Sequence, residues 1–153
     1  IDKKIAKKIL PLIVDDLVEA KCEMRGDANC VEIDQRIKPA EEKDFYTEYL
    51  DKIISIKIVR DIDDAIKQIG IYGSSHTESI ITEDRGAAQK FLQKVDSAIV
   101  MHNASTQFAD GGEFGLGAEV GISTGKLHAR GPVGLEQLTT YKYIVEAECG
   151  LRK

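Results

Sequence analysis

Apolar residues recur at helical spacing from the first turns of the chain. Ile5, Ile9, Leu12, Ile13 and Leu17 form one stripe, with Lys3, Lys7, Asp16 and Glu19 off it. That period predicts an amphipathic helix. Pro11 falls inside the pattern and removes a backbone donor, so a kink or a late helix start is expected. Residues 21–47 are polar and show no clear period. Within them Arg25-Gly26-Asp27 reads as a turn rather than as an adhesion motif.

From residue 53 the pattern sharpens. Ile53 to Val59 is rich in β-branched residues and predicts a buried strand. Asp61 is placed to cap a helix with Ile62, Ala65, Ile66 and Ile69 on one face, and Gly70 and Gly73 punctuate its end. Thr77 to Thr82 predicts a second strand. Ala88, Phe91, Leu92 and Val95 mark a second helix, and Ser97 to Met101 a third strand. Strands and helices that alternate with short links predict an α/β fold with a parallel βαβαβ sheet. Eight of the thirteen glycines then fall between Gly111 and Gly134, which indicates loop, close backbone approach or a hairpin. Gly134 to Thr140 suits a short helix and Tyr141 to Val145 a closing strand.

Composition narrows the classes of function. The chain has 153 residues, enough for one domain with a real core. Its 42% hydrophobic and 31% charged residues fit a globular protein. The net charge of −5, without a basic block, argues against nucleic-acid binding, which needs clustered Lys and Arg. No apolar run reaches the eighteen or so residues of a membrane span, so no membrane role is expected. Cys22, Cys30 and Cys149 are few and odd in number and form no CxxC pair. That points to a reducing, cytoplasmic setting with idle thiols. The chain begins at Ile1 rather than Met, and an upstream segment is therefore expected.

Motifs taken alone reach no reaction. His76 opens a strand, where a structural histidine is the plainer reading. His102 follows the third strand, and ligands of open parallel sheets gather beyond the carboxyl ends of strands. Asn103-Ala104-Ser105-Thr106 is therefore placed where a site would be. His76, His102 and His128 are too dispersed to bind a metal, so none is expected. Gly111-Gly112-Glu113-Phe114-Gly115-Leu116-Gly117 has the look of a phosphate cradle but does not open a βαβ unit and lacks the Gly-Lys-Ser/Thr ending.

Longer motifs carry more. Tyr72-Gly73-Ser74-Ser75-His76-Thr77-Glu78, the run Asn103 to Glu119, the run Lys126 to Leu135, and Thr139-Thr140-Tyr141-Lys142 together resemble the signature of the gamma-glutamyl phosphate reductase (glutamate-5-semialdehyde dehydrogenase) family. This family is a branch of the aldehyde dehydrogenase superfamily. The resemblance covers the chain from about Ile1, more weakly over residues 21–44. Gln68 departs from it, since the family usually has His there.

The resemblance implies NADPH-dependent reduction of gamma-glutamyl phosphate to glutamate 5-semialdehyde, in proline biosynthesis, through a cysteine thiolate. It places that cysteine just before the first helix, outside this sequence, together with the nucleotide-binding domain. No catalytic residue is therefore expected here. Residues 1–119 would be a partial catalytic domain, and 120–153 a C-terminal oligomerisation arm with the closing strand. Glu48, in Glu48-Tyr49-Leu50, would hold the nicotinamide ribose. A solvated surface carboxylate is the plainer reading of that residue. Asn103, Ser105, Thr106, Glu113 and Phe114 would line the substrate mouth. Three readings follow: a C-terminal part of the reductase that is inactive alone, a non-enzymatic remnant that oligomerises or binds a partner through the arm, and one half of a split enzyme completed by a separate N-terminal half. A homo-oligomer through the arm is expected.

Overall fold

A computed structural model describes residues 1–151. Helix α1 (Lys3–Glu19) starts where Asp2 accepts a hydrogen bond from Lys4 N–H, and it runs on through Pro11. There is no late start. The buried side chains of α1 are Ala6, Leu10 and Val14, whereas Ile5 and Leu12 of the expected stripe are exposed. The apolar surface of α1 is thus wider than one face. Its inner stripe packs on the core, and Leu10 and Val14 on either side of Pro11 hold the helix together.

The stretch without a readable period folds into strand β1 (Glu23–Gly26), helix α2 (Ala28–Ile33) and the two-residue strand β2 (Lys38–Pro39). Arg25-Gly26-Asp27 is therefore not a free turn. Arg25 and Gly26 end β1, and Asp27 caps α2 through Cys30 N–H. A Cβ on Gly26 would lie 2.6 Å from Cys30 Cβ and 2.7 Å from Ile37 Cγ2, so the close packing of β1, α2 and Ile37 requires glycine. After a 3-10 turn at Glu42–Tyr46, strand β3 (Ile53–Ile56) pairs with β1 in parallel. The core of this half is Leu10, Val14, Met24, Cys30, Ile37 and Ile56.

Helix α3 (Ile62–Tyr72) is capped by Asp61, and Gly73 is its C-cap. Strand β4 (Thr77–Ile80), helix α4 (Arg85–Lys94) and strand β5 (Ile99–His102) follow, with β4 and β5 parallel. Ala88, Phe91 and Val95 of the expected stripe are buried, while Leu92 is 43% exposed.

The α/β class with parallel strands holds, but the single three-stranded sheet does not. Strand order is β2-β1-β3 in one sheet and β4-β5 in another. The local pattern identifies each strand, but β3 takes β1 as its partner, a strand hidden in the polar segment. Beyond β5, strands β6 (Gly121–Ser123) and β7 (Gly131–Val133) form an antiparallel hairpin. The helix expected over 134–140 shrinks to one 3-10 turn at Glu136–Leu138. Tyr141 to Val145 is not a strand: no strand lies beside it among the described residues, and Tyr141, Tyr143, Ile144 and Val145 are all exposed.

Candidate functional site

Strand β5 ends at His102, and the chain turns sharply at Asn103, whose φ is +53°. The Asn103 amide explains the turn. Its Oδ1 accepts from Thr82 N–H at 2.8 Å and its Nδ2 donates to Thr82 O at 3.0 Å, which ties the end of β5 to the segment after β4. His102 Nε2 lies 2.8 Å from the same carbonyl, and Ser79 Oγ donates to Ala104 O at 2.7 Å. Asn103 thus spends both polar atoms on the backbone.

The loop beyond is built from short caps. Ser105 Oγ accepts from Gln107 N–H, and Asp110 accepts from the N–H groups of Gly112 and Glu113 at 2.8 and 3.0 Å. Glu119 reaches back to Gly111 N–H at 2.8 Å and closes the loop on itself. Asn103, Ser105, Thr106, Glu113 and Phe114 are all exposed on this one loop at the carboxyl end of β5. Position and exposure therefore suit ligand contact.

Glu48 lies elsewhere. It is an exposed residue after the 3-10 turn at Glu42–Tyr46. No hydrogen bond or ion pair among the described residues joins it to the Asn103–Glu119 loop. Its neighbour Tyr49 fixes the segment: the hydroxyl lies 2.8 Å from Ser55 Oγ and donates to Asp44 O at 3.2 Å, and Arg25 sits over the ring at 5.2 Å. Asp44, 4% exposed, accepts from Glu41 N–H at 2.7 Å and pairs with Arg25 at 2.8 Å. Those two contacts hold its carboxyl below the usual range, the backbone one first.

Two further features carried no signal in the sequence pattern. Lys57 Nζ lies 4.7 Å from the ring centroids of both Phe45 and Tyr72. The Tyr72 hydroxyl donates to Glu42 at 2.5 Å, and that carboxylate pushes the phenol up to about 12. Glu78 on β4 has no hydrogen-bond partner for its carboxyl among the described residues, and burial raises its pKa. Spacing along a strand shows neither a cation–aromatic cluster across elements nor a carboxyl without a partner.

The arrangement can orient a ligand but supplies no evident nucleophile. Cys30 is fully buried and donates to Ile56 O at 3.5 Å; burial, with Asp27 next, pushes its thiol up to about 12. Cys22 is half-buried and Cys149 exposed. Among the described residues no group of three or more His, Cys, Asp or Glu could hold a metal ion. None of the described helices is long and apolar enough to cross a membrane. For a dinucleotide the residues fit only in part. The Glu48 carboxylate is free to accept from ribose hydroxyls, whereas the glycines at 111–117 lead into turns and a hairpin rather than a phosphate-binding helix.

No family model matches the chain. Curated proteins named gamma-glutamyl phosphate reductase do. That of Rhodospirillum rubrum is 59% identical over 145 residues, 95% of this chain and 34% of its own length. That of Methylocella silvestris is 57% identical over 99% of this chain and 35% of its own length. That of Rhizorhabdus wittichii is 62% identical over 92% of this chain and 33% of its own length. Among solved structures, gamma-glutamyl phosphate reductase from Thermotoga maritima superposes with a TM-score of 0.96 at 51% identity, over 99% of this chain and 37% of that one. The Saccharomyces cerevisiae enzyme does so with a TM-score of 0.54 at 27% identity, over 71% of this chain and 29% of that one. In sequence and fold the chain is homologous to gamma-glutamyl phosphate reductases along nearly its whole length, and it spans about a third of theirs.

Proposed function

We propose that the chain is a C-terminal portion of a gamma-glutamyl phosphate reductase, an aldehyde-dehydrogenase-like oxidoreductase of proline biosynthesis, and that it is inactive alone. The observation that carries this reading is a likeness that runs through almost every residue of the chain, loop and hairpin included, rather than through the fold alone. The complete enzyme uses a nicotinamide cofactor, NADPH in our reading. Residues 1–119 are the part of the catalytic domain that shapes the substrate mouth, and residues 120–153 are the arm.

Within that scheme the chain binds and positions. Glu48 holds the ribose next to the nicotinamide through its carboxylate. Ser105, Thr106, Glu113 and Phe114 contact the substrate from the loop beyond β5, whose exposed, Gly-spaced build supports this placement. Asn103 contributes to the mouth by fixing the turn that projects the loop. The attacking thiolate and most of the dinucleotide site come from outside these residues, either from the same polypeptide or from a separate N-terminal half. Free cysteines and a biosynthetic role favour the cytoplasm.

A second reading, association through the arm, is favoured by the exposure of Leu127, Tyr141, Tyr143 and Val145. In it the chain forms a homo-oligomer, and the arm crosses between subunits.

The test is reconstitution. The chain alone should give no turnover of glutamate 5-semialdehyde with NADP and phosphate, and fusion to the upstream two thirds of the Rhodospirillum rubrum relative should restore it. Turnover by the chain alone, abolished by Cys22→Ser or Cys149→Ser, would overturn the reading.

A further inference from the structure

Glu48 stands on a short loop that its own neighbours close. The Tyr49 hydroxyl donates to Asp44 O at 3.2 Å, and Ser55 Oγ donates to the same carbonyl at 2.9 Å. Thr47 Oγ1 donates to Lys43 O at 2.8 Å. The buried Asp44 carboxylate is paired with Arg25 of β1. The trailing side of the loop is thereby fixed to β1 and β3. The Glu48 carboxylate takes no part in this closure. It is exposed, and among the described residues it has no hydrogen bond or ion pair.

The leading side of the loop is held by a different device. Phe45 and Tyr46, just before Thr47, meet the ring of Tyr72, the last residue of α3, at centroid distances of 5.5 and 4.7 Å. Lys57, just beyond β3, places its ammonium 4.7 Å from the centroids of both Phe45 and Tyr72 and donates to the Tyr72 hydroxyl at 3.4 Å. That hydroxyl donates in turn to Glu42, in the same 3-10 turn as Phe45 and Tyr46, at 2.5 Å. A half-buried ammonium shared by two ring faces is held more firmly than one in open water. None of these five side chains is fully buried, and none belongs to the core of this half. Such a cluster sets where the turn stands more than whether the chain folds.

We propose that Lys57 and Tyr72 are positioning residues for Glu48: by clamping the turn at Glu42–Tyr46 they set where its carboxylate stands, and so how tightly the nicotinamide cofactor is bound. The inference rests on the proposed function, in which Glu48 holds the ribose. A carboxylate that accepts from ribose hydroxyls tolerates little displacement, because a hydrogen bond weakens steeply away from its normal length and angle. Without the clamp the carboxylate is still present and charged but spread over several positions, and the cost of ordering it lowers the affinity.

The experiment uses the full-length fusion of this chain to the upstream two thirds of the Rhodospirillum rubrum relative. The Kd for NADPH is read from its nicotinamide fluorescence, and the KM values for NADP and glutamate 5-semialdehyde from turnover. Lys57→Met keeps the stem and removes the charge, whereas Tyr72→Phe keeps the ring and removes the hydroxyl. Each should raise the Kd for NADPH and the KM for NADP at least about fivefold, with the KM for the semialdehyde within about twofold. Lys57→Arg, whose guanidinium also stacks on aromatic faces, should bring the Kd to within about twofold of the unsubstituted protein. In a Glu48→Ala background, Lys57→Met should add less than about twofold, because two changes that act through one contact do not add. Tyr72→Phe, which loses a single oxygen, covers the case that Lys57→Met unfolds. An unchanged Kd in the folded variants, or the full increase persisting with Glu48→Ala, overturns the proposal. So does an unchanged Kd in Glu48→Ala itself, which removes the ribose contact. An equal rise in both KM values, or no rescue by Lys57→Arg, overturns it in favour of a general support of the fold. Turnover with an NADPH affinity that these substitutions do not move removes the clamp and leaves the reductase reading standing. The expected affinities without turnover leave the clamp and count against that reading.

Discussion

At the scale of single residues, the structure turns several unremarkable letters into fixed points. Gly26 shares its place with Cys30 Cβ and Ile37 Cγ2, both closer than 3 Å to where a Cβ would stand. Neither is the far end of a flexible side chain, so α2 or Ile37 must shift to admit even a methyl group. Gly26→Ala should therefore cost about 1–3 kcal/mol, as overpacking of a tight core does. Urea denaturation of the full-length fusion would show a lower midpoint with an unchanged slope. A midpoint equal to that of the unsubstituted protein would mean that the contact at Gly26 relaxes freely. None of this is visible in the sequence, where Arg25-Gly26-Asp27 has the composition of a turn. What decides the glycine is Ile37, eleven positions away in a segment with no period. Asn103 shows the same blindness. Its place after a strand marks it for a ligand, whereas both ends of its amide are occupied by the Thr82 backbone.

Elements are legible where a single face is apolar and opaque where two are. α4 follows its stripe, with Ala88, Phe91 and Val95 buried against protein, whereas the stripe of α3 is only half-buried. α1 departs from its stripe, since Ile5 and Leu12 lie outside the face that carries Ala6, Leu10 and Val14. Pairing between strands is opaque for another reason: a βαβαβ pattern orders strands along the chain but does not fix which of them are neighbours. The β6–β7 hairpin is the element whose anchoring the sequence conceals most. Asp96, just after α4, binds Arg130 Nη1 at 2.9 Å and also the Lys126 ammonium. Arg130 Nη2 donates to Asp96 O at 2.8 Å as well. Lys126, then Arg130, hold the Asp96 carboxyl below the usual carboxylate range. These exposed pairs add little to global stability, but they set how tightly the hairpin lies on the body. Asp96→Ala should speed tryptic cleavage after Lys126 and Arg130 several-fold, with little change in the urea midpoint. The folded-state pKa of Asp96 is lowered. The tether is therefore complete above the unfolded value, near about pH 4, and fades as acid protonates the carboxylate through its folded value. In NMR spectra of the chain, the Gly131 and Val133 amide shifts should move towards those of Asp96→Ala over that interval. Unchanged cleavage and shifts would show that the hairpin is held by β6–β7 pairing alone.

Over the whole molecule, the outstanding feature is how much apolar surface faces solvent at its second end. Leu127 at the hairpin tip is fully exposed, and Tyr141, Tyr143, Ile144, Val145 and Leu151 follow with no regular structure to shield them. The alternation from Tyr141 to Val145 predicts a strand, and the physical reason for its absence is the lack of an edge beside it. Backbone groups in such a segment are free to pair with another chain, which needs only exposed N–H and C=O groups in register. Apolar surface that is contiguous over a few hundred Å² seldom stays uncovered on a stable monomer. The expected outcome is a homodimer or larger assembly in which residues 120–135 or 141–146 cross between subunits. Because the hairpin is tied to Asp96 at its base, it projects as a preformed unit and loses little conformational freedom when a partner strand is added. Sedimentation of the chain at micromolar concentration should show a species heavier than the 16.9 kDa monomer. Deletion of residues 123–133 should return it to monomer if the hairpin makes the contact. A sample that sediments only as monomer would exclude association by this surface, and a deletion variant that stays dimeric would move the contact from the hairpin to residues 141–146.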